Sequence, residues 1–104
     1  MPDFRLDDDR AAELAEMFHI LGDPNRLRIV LSCMETPICV QDIAHGLALS
    51  PSLVSHHLRL LRAARLLKAE RRGKRIFYAA ADIHIRSVLA DMVAHVNENA
   101  GDEG

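Results

Sequence analysis

The chain has no run of about 18 apolar residues, the length a membrane-spanning helix requires. Its first residues, Met1-Pro2-Asp3-Phe4-Arg5, lead into an acidic stretch rather than into a basic segment followed by an apolar one, so no export signal is read there. Only two cysteines are present, Cys33 and Cys39, which without a secretion signal argues against a disulfide framework. These absences point to a soluble, cytoplasmic protein with no membrane partner. With 104 residues, 49% of them hydrophobic, a single domain over 1–104 is expected, with a modest core that dimerisation could enlarge. Residues 1–9 and 99–104 are expected to be disordered tails.

Acid is nearly missing from Ser50 to Arg75. Eight basic residues, Arg59, Arg62, Arg65, Lys68, Arg71, Arg72, Lys74 and Arg75, stand there against Glu70, a net of +7 in a chain whose overall charge is −2. Positive charge gathered into one quarter of the length gives the molecule a face for a polyanion, and DNA is the usual one.

Helical periodicity and breakers organise the rest. Asp7, Asp8 and Asp9 precede a first helix whose Leu14, Met17, Phe18 and Leu21 recur at helical spacing, and acids at that end favour the macrodipole. Gly22 ends it, and Asp23-Pro24 opens a second helix, to about Glu35, that buries Leu27, Val30 and Leu31. After Thr36-Pro37, Val40 to Leu47 reads as a short third helix with Ile43, Ala44 and Leu47 inside. A tight turn over Ala48 and Leu49 leads to Ser50-Pro51-Ser52, where either serine can cap a fourth helix running to about Ala64.

Two short helices joined by such a turn form a helix-turn-helix, with the fourth helix as DNA reader. Leu53, Val54, Leu58 and Leu61 fall on its core side, while Ser52, Ser55, His56, Arg59 and Arg62 can point outward. His57 can face either the DNA or the domain interior. Small hydroxyls let the helix approach the groove floor, and Arg59 can pair with guanine or backbone. Two β-prone runs, Leu66 to Arg71 and Arg75 to Ala79, flank Arg72-Gly73-Lys74 and predict a hairpin. Arg71, Arg72, Lys74 and Arg75 make its tip basic, a wing that grips phosphate. The expected fold is mainly α with a β-hairpin wing: a homodimeric winged helix-turn-helix.

A last helix is read from about Asp82 to Val96 or slightly beyond. Ile85, Leu89, Met92 and Val96 follow the 4-3-4 spacing of a helix seam, read as a dimer interface. Asp82, His84, His95 and Glu98 are metal-ligand types that one helix cannot use together. At about 1.5 Å per residue, His84 and His95 stand roughly 16 Å apart along the axis. Eleven steps nevertheless bring both to one helix face. An antiparallel second copy would set Asp82 and His84 of one chain against the partner's His95 and Glu98, two nitrogen and two oxygen donors suited to tetrahedral Zn(II) or Co(II).

Phe18-His19-Ile20-Leu21-Gly22-Asp23-Pro24-Asn25-Arg26-Leu27-Arg28-Ile29 resembles the opening signature of the ArsR/SmtB family of bacterial metal-responsive repressors. Val54-Ser55-His56-His57-Leu58-Arg59-Leu60-Leu61 resembles that family's recognition helix, and the likeness spans roughly Ala11 to Glu98. It implies a homodimer that binds an inverted-repeat operator and leaves it when an inducer binds. The family's thiolate sensors start the third helix with Cys-Val-Cys-Asp, whereas this chain reads Cys39-Val40-Gln41-Asp42, and no cysteine or histidine precedes His19. A soft site for Cd(II), Pb(II) or As(III) is therefore poorly supported. The zinc-sensing branch carries Asp-x-His and a His followed three residues later by Glu or His, which Asp82-Ile83-His84 and His95-Val96-Asn97-Glu98 match. The resemblance thus implies Zn(II), with Co(II) as a substitute, as inducer. The other ring nitrogen of His95 is expected to donate to a carbonyl.

Three alternatives compete, one of them a regulator or structural DNA-binding protein whose metal site is vestigial. A redox or sulfur sensor would use Cys33 and Cys39, but the family's sulfur sensors usually place one cysteine in the last helix, which here has none. A zinc hydrolase needs an open coordination position that four protein ligands do not leave. The chain is therefore read as a regulator, not an enzyme, with no small-molecule substrate.

Overall fold

A computed structural model describes residues 2–102. In chain order its elements are α1 (Asp8–Leu21), α2 (Pro24–Ser32), β1 (Ile38–Cys39), α3 (Val40–Leu47), α4 (Pro51–Ala63), β2 (Leu67–Arg72), β3 (Arg75–Ala80) and α5 (Ile83–Asp102). Side-chain caps explain where four of these helices start. The carboxylate of Asp7 accepts from the Arg10 amide at 2.8 Å, Asp23 from Arg26 at 2.9 Å and Asp82 from Ile85 at 3.0 Å, while the Ser50 hydroxyl accepts from Leu53 at 3.1 Å. Each satisfies an amide that the first turn leaves without a partner. Of the two serines before the fourth helix, Ser50 is the cap. Ser50→Ala is expected to destabilise the protein by about 1 kcal/mol, read from urea unfolding, and Ser52→Ala by much less.

The third helix has the bounds its sequence implies, and Ala48 closes it in the left-handed region at φ 56°. The wing is a hairpin in which Leu67 pairs with Ala80 and Arg72 with Arg75. Its turn is only Gly73-Lys74, shorter than the three residues expected. Gly73 has φ +62°, the first central position that a type II′ turn reserves for glycine. One strand was not foreseen: Ile38 and Cys39 pair antiparallel with Tyr78 and Phe77, giving the sheet order β1-β3-β2. That pairing fixes the base of the wing to the entrance of α3.

Ile29, Val30, Cys33, Ile43, Val54, Leu58, Leu61 and Leu66 form the centre of the core and are essentially sealed from solvent. Several expectations need correction. Leu27 and Leu53 remain about one-third exposed, and α2 turns Ile29 inward beside Val30 instead. Leu89, read as part of a dimer seam, is buried in the chain's own core, with Ile85 packed against it. Asp8 and Asp9, expected in a tail, already belong to α1, and α5 continues through 99–102 where a tail was expected. Residues 1, 103 and 104 lie outside the described residues. No helix among the described residues is long and apolar enough to cross a membrane.

Candidate nucleic-acid interface and metal centre

Helix α4 is held from one side. Val54, Leu58 and Leu61 are buried against α2 and α3, which leaves Ser52, His56, Arg59 and Arg62 on the exposed face with Ser55 half-buried at its margin. His57 is set apart from this group: it is only 7% exposed and faces the interior, so it does not belong to the surface offered to DNA. Its Nδ1 accepts from Arg26 Nε at 3.2 Å, and Arg26 also donates through Nη1 to the Ile20 carbonyl at 3.0 Å. Burial holds the His57 imidazole below its ordinary range, and the adjacent Arg26 guanidinium adds to this.

On the wing, Arg71, Arg72, Lys74 and Arg75 are all exposed. Two of them are already engaged. Arg71 Nε donates to the Gly73 carbonyl at 3.2 Å, bracing the turn, while Arg72 pairs with Glu70 at 3.2 Å and lies 5.1 Å from the centroid of the Phe77 ring. Lys74 and Arg75 have no ion-pair partner among the described residues.

The four candidate metal ligands are exposed, and they are not brought together within one chain. Among the described residues no three His, Cys, Asp or Glu side chains are close enough to hold an ion. Helix α5 is continuous from Ile83 onward, so His84 and His95 share a face at opposite ends of three turns. Asp82 spends one carboxylate oxygen on the Ile85 amide, which leaves the other to a cation. The His95 Nε2 lies 3.2 Å from the Asn99 side-chain amide, not from a backbone carbonyl as expected. The donor chemistry, two imidazoles and two carboxylates, fits zinc, provided that a second copy supplies half of it. Beside these residues α5 exposes Val88, Met92, Val93 and Val96, and α1 exposes Leu14 and Phe18. Phe18 and Leu21 of α1, Leu27 and Leu31 of α2 and Met92, Val93 and Val96 of α5 line an open apolar groove of about 450 Å³.

The cysteines offer no comparable chemistry. Both are buried, and the Cys33 thiol donates to the Ile29 carbonyl at 3.4 Å. Burial pushes that thiol up to about 12, so it stays protonated, the form that neither ligates nor attacks.

Residues 23–69 match the arsR family of bacterial regulatory proteins. The chain is 38% identical over 91 residues to a transcriptional repressor SmtB homolog of Synechocystis, covering 88% of this chain and 69% of the relative. It is 38% identical over 85 residues to the transcriptional repressor SmtB of Mycobacterium tuberculosis, covering 82% of this chain and 63% of that protein. The chain thus spans about two-thirds of the length of these relatives. Among solved structures, a homodimeric winged helix-turn-helix DNA-binding domain from Mycobacterium bovis superimposes with a TM-score of 0.81 over 94% of both chains, at 23% identity. The architecture, the matched segment and the extent of identity together establish that this chain belongs to the ArsR/SmtB family of DNA-binding transcriptional regulators, which are not enzymes.

Proposed function

We propose that the protein is a metal-responsive repressor that binds an inverted-repeat operator as a homodimer and releases it when Zn(II) or Co(II) is held by Asp82 and His84 of one chain and the partner's His95 and Glu98. The observation that carries this reading is the continuous α5, whose His84 and His95 share one face beside an apolar surface that a single chain leaves open. A two-fold operator and a two-fold metal site need the same dimer. In that dimer the exposed faces of the two α4 helices read successive major grooves, with the wings on flanking phosphate.

Zinc bound by the four donors would supply a crosslink between the two α5 helices. Leu89 and Ile85 seat each α5 in its own core, so any change of angle between the helices is carried to the attached reading heads. Operator affinity then depends on the state of the seam, and DNA must reciprocally weaken metal binding. Titration of an operator complex with Zn(II), followed by fluorescence anisotropy, tests this reading. The wing supplies a separate test. Lys74→Ala and Arg75→Ala are each expected to weaken operator and unrelated DNA alike and to lower the slope of log affinity against log salt by about 1. A loss confined to the operator would mean that these side chains read bases.

A further inference from the structure

Among the described residues, the only buried polar side chain in the core is an imidazole on the reading helix, and it belongs to neither the DNA face nor the metal half-sites. Three elements meet through it. Arg26, at the start of α2, donates from Nε to His57 Nδ1 on α4 and from Nη1 to the Ile20 carbonyl in the last turn of α1, while its own amide is fixed by the Asp23 cap. A guanidinium presents several donors in a rigid plane, and here two of them reach two different helices.

We infer that Arg26 and His57 are a positioning pair that locks the reading helix α4 to α1, the helix that exposes Leu14 and Phe18 beside the proposed dimer seam, and that the lock closes only with a neutral, Nε2-protonated His57. This rests on the proposed function and deepens it, because it names a route by which the arrangement of the seam reaches the DNA-facing helix. Protonated imidazole has no acceptor at Nδ1 and would set a second positive charge against Arg26. Arg26 and Asp23 at the start of α2, with His56 on α4 itself, are the charged and titratable groups facing the ring. Burial and Arg26 hold its titration below the ordinary value of 6.5, so the folded chain carries fewer protons there than the unfolded one. The stabilisation is therefore complete above that value and is lost as pH falls through it toward the folded titration point.

Four measurements test the pair. In wild-type protein, nitrogen NMR of the ring at neutral pH is expected to show Nδ1 unprotonated and hydrogen-bonded. His57→Leu, which keeps bulk but removes the acceptor, is expected to lower operator affinity by about two- to thirtyfold while zinc affinity is retained. His57→Asn, whose side-chain oxygen takes the place of Nδ1 without titrating, is expected to regain most of that loss. The ratio of wild-type to His57→Asn affinity should hold steady above the ordinary imidazole value of 6.5 and fall as pH is lowered below it. A proton on Nδ1 in the wild type, or a His57→Leu protein with wild-type affinity and an unchanged pH profile, would overturn the inference. If His57→Leu fails to fold, the ring tautomer and the His57→Asn ratio still decide it. Absence of operator binding at every pH would instead sink the proposed function, while the NMR signals and the pH dependence of unfolding would still report on the pair.

Discussion

Stoichiometric Zn(II) is expected to lower operator affinity by about 5- to 150-fold, the range of a coupling free energy of about 1 to 3 kcal/mol. His84→Ala should bind the operator and no longer release it. The effect of one substitution is large because symmetry doubles it: in the proposed dimer each chain would give its His84 to one site and its His95 to the other, so every metal site in the variant would lose a nitrogen donor. Two carboxylates and one imidazole remain, a set that still attracts a hard cation but no longer closes a tetrahedron around zinc. Anisotropy titrations of both proteins with metal, and with a chelator to reverse the change, measure this directly. Wild-type affinity that stays constant with zinc in excess would dismiss the sensor and leave a metal-indifferent regulator.

Met92→Glu is expected to cost still more, by a different route. Met92 is 47% exposed in the single chain and lies on the stripe with Val96, so its replacement adds a carboxylate to a surface that a second copy should cover. Near a two-fold axis each such charge faces its own image, and both are desolvated on pairing. The monomer tolerates the change, as a half-exposed position should, within about 0.5 kcal/mol. Sedimentation should show a monomer. Operator affinity should then fall by about 10²- to 10⁴-fold, the advantage that a second linked half-site confers. A Met92→Glu protein that sediments as a dimer and keeps wild-type affinity would move the interface elsewhere.

Much of the fold could be read along the chain, because local chemistry decides it. Asp23-Pro24 and Ser50-Pro51 start helices α2 and α4 where caps and fixed prolines require, and Gly73 turns the hairpin. Strand β1 escaped notice for a physical reason: two residues have no periodicity, and Ile38 and Cys39 become a strand only by pairing with residues some forty positions later. The stripe on α5 shows a second kind of ambiguity. A 4-3-4 pattern looks the same whether it is covered by the chain's own core or by a partner, and the structure divides it, with Leu89 inside and Met92 and Val96 outside. The far end of α5 lacks an apolar pattern altogether, so periodicity stops at Val96 while the backbone continues helical.

The candidate site divides in the same way. His84 and His95 are related by helical geometry that counting residues reveals, and their exposure follows from the polar face they occupy. The bond between Arg26 and His57 spans 31 positions and obeys no spacing rule. Only the placement of α4 across the start of α2 creates it. Adjacent His56 and His57 could not be told apart by residue type, since one step around a helix turns a side chain by about 100°, from solvent to core.

The cap on α5 bears on how long a cation could stay. Because one oxygen of Asp82 is fastened to the Ile85 amide, its carboxylate loses rotational freedom when the helix forms, not when an ion arrives. Folding would thus aim this candidate ligand beforehand. Asp82 then swings away only when the first turn of α5 frays, which ties the release rate at that end of each site to a local opening of backbone.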